Sequence, residues 1–493
     1  METISVRNPA TGVLVGQVKT AGPAEIQVAL GRARDAQKNW GRRKFTERAE
    51  IIRKFHDLIL EKSGRILDVI QSETGKARRD ALGEIVTVAG TARYYLSHGE
   101  RHLSPKRREP AVPAVTDAEV VYKPHGVVGL ITPWNYPFLL AVGDAIAALL
   151  AGNAVMVKPS ELTPLSAELA RDLLVESGLH PDLLTVIHGP GQVGSELIRG
   201  VDCVGFTGGT ATGRKVALAA AERLIPFSLE LGGKNPMIVL EGAKLDDAAC
   251  GLIVGAFSNS GQTCLAVERV YVQESVFEDF ARRVVERASA MKLGWSNAWD
   301  IDMGSLISEN HVEKVTRHID EALQAGAKVL TGGRRLDLGK AFVSPTVLTN
   351  VPESTPLFRE ETFGPVVSLF PVRDADEAVQ RSNDSEFGLN ASIWTGDHAG
   401  SRRIAQRLDT GSAAINSTLL IYNSFDVPMG GVKQSGLGRR HAEQGILRYV
   451  QAQSIVSSIS AGGGFDAFAN RLDRPSRVSR ILKGLRILRK MNL

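Results

Sequence analysis

Residues 127–161 read VVGLITPWNYPFLLAVGDAIAALLAGNAVMVKPSE, and this stretch decides the fold. Two short β-branched runs, at 127–131 and 154–157, flank a helical stretch at 141–150, and a third run follows at 184–187. Strands that alternate with helices in this way form βαβ units, whose strands lie parallel in one sheet. The stretch therefore predicts an α/β domain with a parallel sheet, an architecture that by analogy binds nucleotides.

The segments on either side of this stretch follow other patterns. Apolar residues recur at three- and four-residue spacing in the first hundred residues, which predicts helices at 24–40, 46–62 and 73–96. A second alternation of strands and helices begins near Ile238 and predicts a second α/β domain. Its further strands are predicted at 270–272, 328–330 and 366–369. Prolines around alternating segments at 104–124 indicate a linker or a protruding hairpin.

The composition is typical of a globular protein with two sizeable domains. The chain has 493 residues, of which 43% are hydrophobic and 23% are charged. It has no apolar run long enough to cross a membrane and no targeting signal at its start, so we expect a cytoplasmic protein. Much of the net charge of +5 lies in the last twenty residues, so we expect no nucleic acid partner for the main body.

The three cysteines, Cys203, Cys250 and Cys264, are an odd number without Cys-x-x-Cys spacing. This pattern indicates neither a disulfide framework nor a metal site. Cys203 and Cys250 lie beside apolar residues, and we expect both to be buried small hydrophobic side chains. Cys264 instead follows the small residues 258–261, which would leave the backbone near its thiol open.

Cys264 in Gly-Gln-Thr-Cys and Glu230 in Glu-Leu-Gly-Gly-Lys together suggest covalent chemistry. A thiolate can attack a carbonyl, and a carboxylate can take a proton from the water that hydrolyses the resulting thioester. A buried inert cysteine and a surface glutamate are the ordinary alternatives for each residue taken alone. As a pair they predict a two-stage reaction with an acyl intermediate.

Other motifs follow strands of the first predicted sheet. Asn135 stands in Pro-Trp-Asn-Tyr-Pro, Lys158 and Glu161 follow the next strand, and a glycine-rich segment occupies 205–213. Open α/β sheets bind ligands at the carboxyl ends of their strands, so these side chains could contact an oxyanion, a phosphate and a ribose. Ordinary turns, a solvated charge pair and a ligand-free glycine turn are the alternatives.

Together these motifs resemble those of the aldehyde dehydrogenase family, from about residue 6 to about residue 458. Within it the chain is most similar to succinate-semialdehyde dehydrogenases of the second mycobacterial type. The segments that carry the resemblance contain Asn135, Lys158, 206–208, Glu230, Cys264, Glu361 with Phe363, and 428–436. The resemblance implies an aldehyde dehydrogenase-like α/β fold with two Rossmann-like domains and a small β oligomerisation hairpin. It also implies a homodimer or homotetramer that acts on a small-molecule aldehyde.

The domains implied by the resemblance can be placed along the chain. They are 1–104 with 125–232 for dinucleotide binding, 233–428 for catalysis, 105–124 with 445–458 for oligomerisation, and 459–493 as a basic amphipathic tail. In the tail the apolar residues form a stripe along one side of a predicted helix, and several arginines and lysines supply charge beside it. This pattern is typical of a helix at a membrane surface. A helix packed on its own protein is the alternative, so peripheral membrane contact is one of two hypotheses.

The resemblance also implies the role of each site residue. Cys264 would be the nucleophile, Asn135 with the Cys264 backbone N–H would form the oxyanion hole, and Glu230 would activate water. The residues implied to bind the cofactor are Ile131, Thr132, Pro133, Trp134, Lys158, Ser160, Glu161, Phe206, Thr207, Gly208, Gly209, Leu231, Glu361 and Phe363. NAD is the expected cofactor because the Glu161 carboxylate would repel the extra phosphate of NADP. The similar subfamily has serine at that position, so NADP use stays open.

Departures from the family pattern bear on the substrate. Succinate-semialdehyde dehydrogenases carry arginine where this chain has Gly143 and Ser258, and an aromatic residue where it has Met429. An unpaired carboxylate in a pocket costs several kcal/mol, so either another cation replaces the arginines or the substrate is an uncharged apolar aldehyde. Succinate semialdehyde is one expected substrate. The alternatives are a medium-chain, long-chain or aromatic aldehyde, and a non-catalytic membrane-associated role. Glu230 argues against a CoA-acylating enzyme, because such relatives lack this base.

A further departure concerns an ion pair. Many relatives have a lysine and a glutamate where this chain has Asp144 and Arg440. We hypothesise that the two residues form the same pair with its polarity reversed. Exchange of both residues is then expected to restore more activity than either single change.

Overall fold

The computed structural model describes residues 2–110 and 116–458, with four isolated residues further on at 479, 482, 483 and 486. The predicted tail helix therefore lies almost wholly outside the described residues. The chain divides into two compact units, Met1–His102 with Pro124–Tyr449 and Leu103–Lys123 with Val450–Leu493.

The α-helices and β-strands are bounded as follows. The helices are α1 Pro23–Trp40, α2 Phe45–Glu61, α3 Ser63–Thr74, α4 Arg78–Leu103, α5 Pro137–Leu150, α6 Leu165–Glu176, α7 Gly191–Gly200, α8 Thr210–Glu222, α9 Leu245–Phe257, α10 Phe277–Ser289, α11 Glu309–Gln324, α12 Pro356–Arg359, α13 Ala375–Asn383, α14 His398–Ala405 and α15 Ala442–Leu447. The strands are β1 Thr3–Arg7, β2 Leu14–Lys19, β3 Lys106–Arg107, β4 Thr116–Pro124, β5 Val127–Ile131, β6 Ala154–Lys158, β7 Leu184–Val186, β8 Cys203–Thr207, β9 Phe227–Glu230, β10 Asn235–Val239, β11 Val267–Gln273, β12 Lys328–Thr331, β13 Thr346–Thr349, β14 Val366–Val372, β15 Phe387–Gly388, β16 Asn390–Trp394, β17 Ser412–Ile415, β18 Val432–Lys433, β19 Gly436–Leu437 and β20 Val450–Ser458.

The first unit contains a six-stranded sheet with the order β19-β9-β8-β5-β6-β7. Strands β5 to β9 pair in parallel, and β19 adds an antiparallel edge. Helix α5 crosses between β5 and β6, and most of its residues are buried, since its sequence is apolar on every side. The βαβ unit predicted from residues 127–161 is confirmed.

The same unit contains a seven-stranded sheet with the order β12-β13-β14-β11-β10-β16-β17. Only β12 runs antiparallel to its neighbour in this sheet. Two clusters of buried apolar side chains include residues of its strands, one with Ile238 and Tyr271 and the other with Met237 and Val270. Neighbouring residues of a strand point to opposite faces, so the sheet is buried on both. The second α/β alternation predicted from the sequence is confirmed.

The second unit contains a three-stranded sheet with the order β20-β4-β3. Strands β3 and β4 pair antiparallel, with Lys106 opposite Val120. Of the two alternatives expected at 104–124, a linker or a protruding hairpin, the described residues support antiparallel pairing of two strands. In the described part of the chain, no helix is long and apolar enough to span a bilayer.

Three expectations about local structure were wrong. The helix predicted at 73–96 is interrupted at Gly75, whose φ of +71° ends α3, and α4 begins only at Arg78. The all-helical first hundred residues also contain the β1–β2 hairpin, where alternating residues such as Ile4 and Val6 pair with β2. Cys250 is exposed rather than buried, because its side of α9 faces Arg287, whose Nε donates to the sulfur at 3.4 Å.

Candidate active site

Four parallel strands of the six-stranded sheet end on predicted site residues. Strand β5 ends at Ile131, β6 at Lys158, β8 at Thr207 and β9 at Glu230. Ile131 is opposite Lys158, and Thr207 is opposite Glu230. Since parallel strands have their carboxyl ends at one edge, the sheet brings together residues about a hundred positions apart.

Cys264 follows a tight left-handed segment between α9 and β11. Asn259, Ser260 and Gly261 have φ angles of 52°, 57° and 72°. A Cβ on Gly261 would lie 2.1 Å from the Gly364 carbonyl oxygen, so only glycine fits there. Non-glycine residues in this region cost about 1–3 kcal/mol each and persist only where their surroundings hold them.

Hydrogen bonds hold this segment against the loop that carries Asn135. Asn259 Nδ2 donates to the Asn135 carbonyl oxygen at 3.0 Å, and Asn135 Nδ2 donates to the Gln262 carbonyl oxygen at 3.0 Å. Lys76 Nζ donates to the same Asn135 carbonyl at 2.7 Å and forms a buried ion pair with Glu84 at 2.8 Å. The Asn135 amide has a second N–H, which this bond to Gln262 does not use.

Burial raises the pKa of the Cys264 thiol to about 11, and the neighbouring carboxylates Glu230 and Glu361 add to the shift. The Tyr422 hydroxyl lies 3.3 Å from Cys264 Sγ and lowers the pKa. Asn235 Nδ2 donates to the Cys264 carbonyl oxygen at 2.8 Å and so anchors the backbone beside the thiol. Because only the thiolate is a strong nucleophile, ionisation depends on the groups around the sulfur.

The Glu230 side chain is 5% exposed at the end of β9. Burial raises the pKa of this carboxyl to about 7, while Arg440 and Arg448 act in the opposite direction. Its Oε1 has no hydrogen-bond partner among the described residues. A Cβ on Gly430 would lie 3.1 Å from that oxygen, so the glycine leaves room beside it. An unpaired carboxyl oxygen and a pKa near neutrality are the properties of a general base.

The three predicted catalytic residues, Cys264, Glu230 and Asn135, line one cavity of about 200 Å³. The predicted site residues on its wall are Pro133, Trp134, Asn135, Thr207, Gly208, Gly209, Glu230, Leu231, Cys264, Glu361 and Phe363. The Phe363 ring packs edge-on against Trp134 with centroids 5.5 Å apart. Gly233 N donates to Glu361 Oε1 at 2.9 Å, and burial raises the pKa of Glu361 to about 7.

A wider cleft of about 660 Å³ shares Pro133, Thr207 and Gly208 with this cavity. The other predicted residues on its wall are Ile131, Thr132, Lys158, Ser160, Glu161 and Phe206. Lys158 Nζ lies 3.5 Å from Glu161 Oε2, and the Glu161 side chain is 49% exposed. All predicted catalytic and cofactor residues therefore lie on two connected recesses.

The start of α8 fits an anionic group at the border of these recesses. Gly209 caps the helix and has no side chain to accept from the first-turn N–H groups. A Cβ on Gly209 would meet no atom within 4 Å, so the approach to the helix start is open. Unpaired N–H groups at a helix start bind phosphates, so the residues present fit the pyrophosphate of a dinucleotide.

The ion pair proposed between Asp144 and Arg440 is confirmed. Arg440 Nη2 lies 2.8 Å from Asp144 Oδ2 and donates to Thr207 Oγ1 at 2.5 Å. Arg448, which the sequence did not indicate, contacts the other carboxylate oxygen at 2.5 Å. Burial alone would raise the pKa of Asp144, but the two arginines hold it below its ordinary value. An exchange of Asp144 and Arg440 would therefore place a new cation beside Arg448, so that exchange no longer tests the pair cleanly.

The positions that lack the expected arginines lie in different places. Gly143 borders a recess of about 30 Å³ that shares Tyr422, Met429 and Arg440 with the catalytic cavity. Ser258 borders another recess, with Cys250 on its wall. Among the described residues that line the catalytic cavity, the cations are Lys314 and Arg440. Lys314 Nζ donates to the Glu361 carbonyl oxygen at 2.8 Å, so both cations already have partners.

Comparison with known proteins places this geometry in a family. The model of the aldehyde dehydrogenase family matches residues 1–455. A protein of Mycobacterium tuberculosis named "Putative succinate-semialdehyde dehydrogenase (NADP+) 2" is 43% identical over 461 residues, which cover 93% of this chain and 88% of that protein. The 4,4'-diapolycopene aldehyde oxidase of a Methylomonas species is 40% identical over 454 residues, covering 91% of this chain and 84% of that protein.

A solved structure agrees with these sequence relatives. The succinate-semialdehyde dehydrogenase of Burkholderia pseudomallei superimposes with a TM-score of 0.89 at 36% identity, covering 93% of this chain and 95% of that chain. The fold class expected from the sequence is thus confirmed. This chain belongs to the aldehyde dehydrogenase family. It is, as a member, an oxidoreductase that acts on aldehydes.

Proposed function

We propose that the protein oxidises an uncharged, largely apolar aldehyde to its carboxylic acid with a nicotinamide dinucleotide. The observation that carries the proposal is the convergence of Cys264, Glu230 and Asn135 on one buried cavity that continues into the open cleft. Each of the three belongs to a different element, so their meeting is a property of the fold. A cleft that fits a dinucleotide beside a nucleophile and a base supports oxidation followed by hydrolysis.

The chain's own residues supply the covalent steps. The Cys264 thiolate forms a bond to the aldehyde carbon, and the carbonyl π pair moves to oxygen. The second N–H of Asn135 and the Cys264 backbone N–H donate to that oxyanion, and one such donor stabilises a transition state by about 3 kcal/mol. After oxidation leaves a thioester on Cys264, Glu230 takes a proton from the attacking water, and the acid is released.

The dinucleotide is held by residues of both recesses. Lys158 and Glu161 would bind the adenosine ribose, the start of α8 would bind the pyrophosphate, and Glu361 with Phe363 would hold the nicotinamide ribose and ring. A nicotinamide bound there would supply the hydride acceptor for oxidation of the Cys264 adduct. We propose NAD, because the Glu161 carboxylate opposes the phosphate of NADP. The mycobacterial relative is named for NADP, which makes NADP the second candidate.

Charge balance supports an uncharged substrate. Arg440 and Arg448 contact Asp144, and both lower the pKa of Glu230. When Glu230 is ionised, the charges of the two arginines are therefore balanced by two carboxylates. Lys314 donates to the Glu361 backbone carbonyl, and its charge acts on the Glu361 carboxyl, whose pKa it lowers. A substrate carboxylate would therefore enter the cavity without a partner, at a cost of several kcal/mol.

Two substrate classes are supported by the relatives. The name of the Methylomonas relative specifies a carotenoid aldehyde, which is apolar. The mycobacterial and Burkholderia relatives are named for succinate semialdehyde, which makes this acid the second candidate. The apolar wall formed by Leu140, Leu231 and Met429 fits the first class better.

An aldehyde panel with NAD and NADP tests the proposal. We expect kcat/KM for medium-chain and aromatic aldehydes to exceed that for succinate semialdehyde by about a hundredfold, since one unpaired buried charge costs several kcal/mol. Preference for succinate semialdehyde would contradict the apolar substrate. Gly143→Arg should raise kcat/KM for succinate semialdehyde, whereas Gly143→Met, which adds similar bulk without charge, should not.

The second unit is proposed as the oligomerisation element. Its β20 strand carries mostly exposed side chains, among them Ile455 and Val456, which are 41% and 66% exposed. Such exposed apolar side chains on a strand are suited to pairing between subunits. We expect a homodimer or homotetramer by sedimentation analysis. Peripheral membrane contact through the tail stays a prediction.

A further inference from the structure

Among the described residues, Tyr422 is the tyrosine whose hydroxyl contacts the sulfur of the candidate nucleophile. It lies in a short 3-10 turn, Leu420–Asn423, after β17. Its hydroxyl is 3.3 Å from Cys264 Sγ, and it lines the catalytic cavity. Its ring packs beside Cys264 against an apolar cluster that includes Met429. Apolar packing thus fixes the ring and aims its polar end at the sulfur.

The ionisation state of the sulfur decides the direction of this hydrogen bond. While Cys264 is a thiol, either group can donate. Once it is a thiolate, only the tyrosine has a proton to donate. Burial raises the pKa of Tyr422 well above its ordinary value, so the hydroxyl keeps that proton at neutral pH. A buried thiolate without a donor would be strongly disfavoured.

We propose that Tyr422 is a further catalytic residue, in that its hydroxyl donates to the Cys264 thiolate and so increases the fraction of the nucleophile that is ionised inside the cavity; this inference rests on the proposed function. Ionisation transfers the thiol proton to water or to the Glu230 carboxylate. The thiolate lone pair then forms the C–S bond while the carbonyl π pair moves to oxygen.

The variant Tyr422→Phe isolates the hydroxyl, because it keeps the ring that packs near Met429. Tyr136→Phe is the matched control: the Tyr136 ring centroid lies 6.2 Å from that of Tyr422, but its hydroxyl contacts Thr263 Oγ1 at 2.6 Å instead of the sulfur. Both changes remove one hydroxyl near the same loop, and only one removes the contact to the nucleophile.

The test measures alkylation of Cys264 by iodoacetamide as a function of pH, without aldehyde or dinucleotide. Peptide mass spectrometry separates Cys264 from the exposed Cys250, which serves as an internal reference. A hydrogen bond to a charged group is worth about one to two pKa units. In Tyr422→Phe we therefore expect Cys264 to titrate at least about one unit higher and to react about tenfold more slowly at pH 8. Cys250 should not change.

An unchanged Cys264 profile in Tyr422→Phe would overturn the proposal. An equal shift in Tyr136→Phe would also overturn it, because the effect would then belong to the loop and not to the hydroxyl. Failure of the proposed function gives a different result: Cys264→Ser would still oxidise aldehydes, whatever the alkylation profile of the tyrosine variants.

Discussion

The catalytic cavity and the dinucleotide cleft are neighbours that are built differently. The cavity measures about 200 Å³, and hydrogen bonds between distant segments fix Cys264, Asn135 and their loops. The cleft measures about 660 Å³, and Glu161 on its wall is half exposed. In the cavity proposed for the covalent steps, hydrogen bonds determine the positions of the side chains. In the cleft proposed for the cofactor, we expect the solvated Glu161 side chain to have the main influence on cofactor choice. Changes in the cavity should therefore affect the rate more than changes in the cleft.

The largest expected effect comes from Cys264→Ser. A serine hydroxyl ionises far less readily than a thiol and is a much weaker nucleophile than a thiolate, so kcat/KM should fall by more than about 10⁴-fold. The measurement is the rate at which NADH or NADPH forms with a reactive aldehyde. Cys203→Ser at a buried position is the control, and comparable losses in both variants would indicate a general folding defect.

Glu230→Gln should slow thioester hydrolysis by about 10²–10⁴-fold, because the amide cannot accept the water proton. The wild-type carboxyl has a pKa of about 7, so only its ionised form, present above that pH, acts as a base. Thioester hydrolysis in single-turnover experiments should therefore rise with pH and level off above about 7 in the wild type. The variant should lose this dependence, and an unchanged profile would exclude Glu230 as the base.

Asn135→Ala should lower kcat by about 10²–10³-fold through the loss of one oxyanion donor. The change also removes the hydrogen bond to the Gln262 carbonyl, so the melting temperature must be measured in parallel. If kcat stays within about twofold of the wild type, the oxyanion hole must be formed by other donors.

The smallest effect is expected in the cleft. Glu161→Gln removes the negative charge and keeps the shape of the side chain. The ratio of kcat/KM with NADP to kcat/KM with NAD should therefore rise by about tenfold, with kcat almost unchanged. Glu176→Gln is a matched control, because Glu176 is 50% exposed and forms its ion pair with Lys62. An equal ratio in Glu161→Gln and the wild type would assign cofactor choice to other residues.

Much of the site was predictable because its chemistry is local in the sequence. Ile131 and Lys158 end strands whose apolar runs are evident, and a parallel sheet necessarily brings strand ends together. The ion pair between Asp144 and Arg440 was predicted because both positions depart from the family pattern, and the structure confirmed it. Fold and site therefore followed from residue types at strand ends and from family resemblance.

The contacts that were not predicted are tertiary and carry no local signal. Arg448 reaches Asp144, Tyr422 reaches the Cys264 sulfur, and Lys76 supports the Asn135 loop across large sequence separations. No motif or periodicity marks these residues, because their partners are set by how distant segments pack. The break at Gly75 was missed for another reason, since a single glycine inside an apolar periodicity does not by itself end a helix.

The central claim is that an acyl group passes through the sulfur of Cys264. Rapid quenching of the wild-type protein with an aldehyde it oxidises and the dinucleotide, followed by peptide mass spectrometry, tests this claim directly. We expect the acyl mass on the Cys264 peptide during turnover, and a larger acylated fraction of that peptide in Glu230→Gln. Product formation with an unmodified Cys264 peptide, or with the acyl group on another residue, would contradict it.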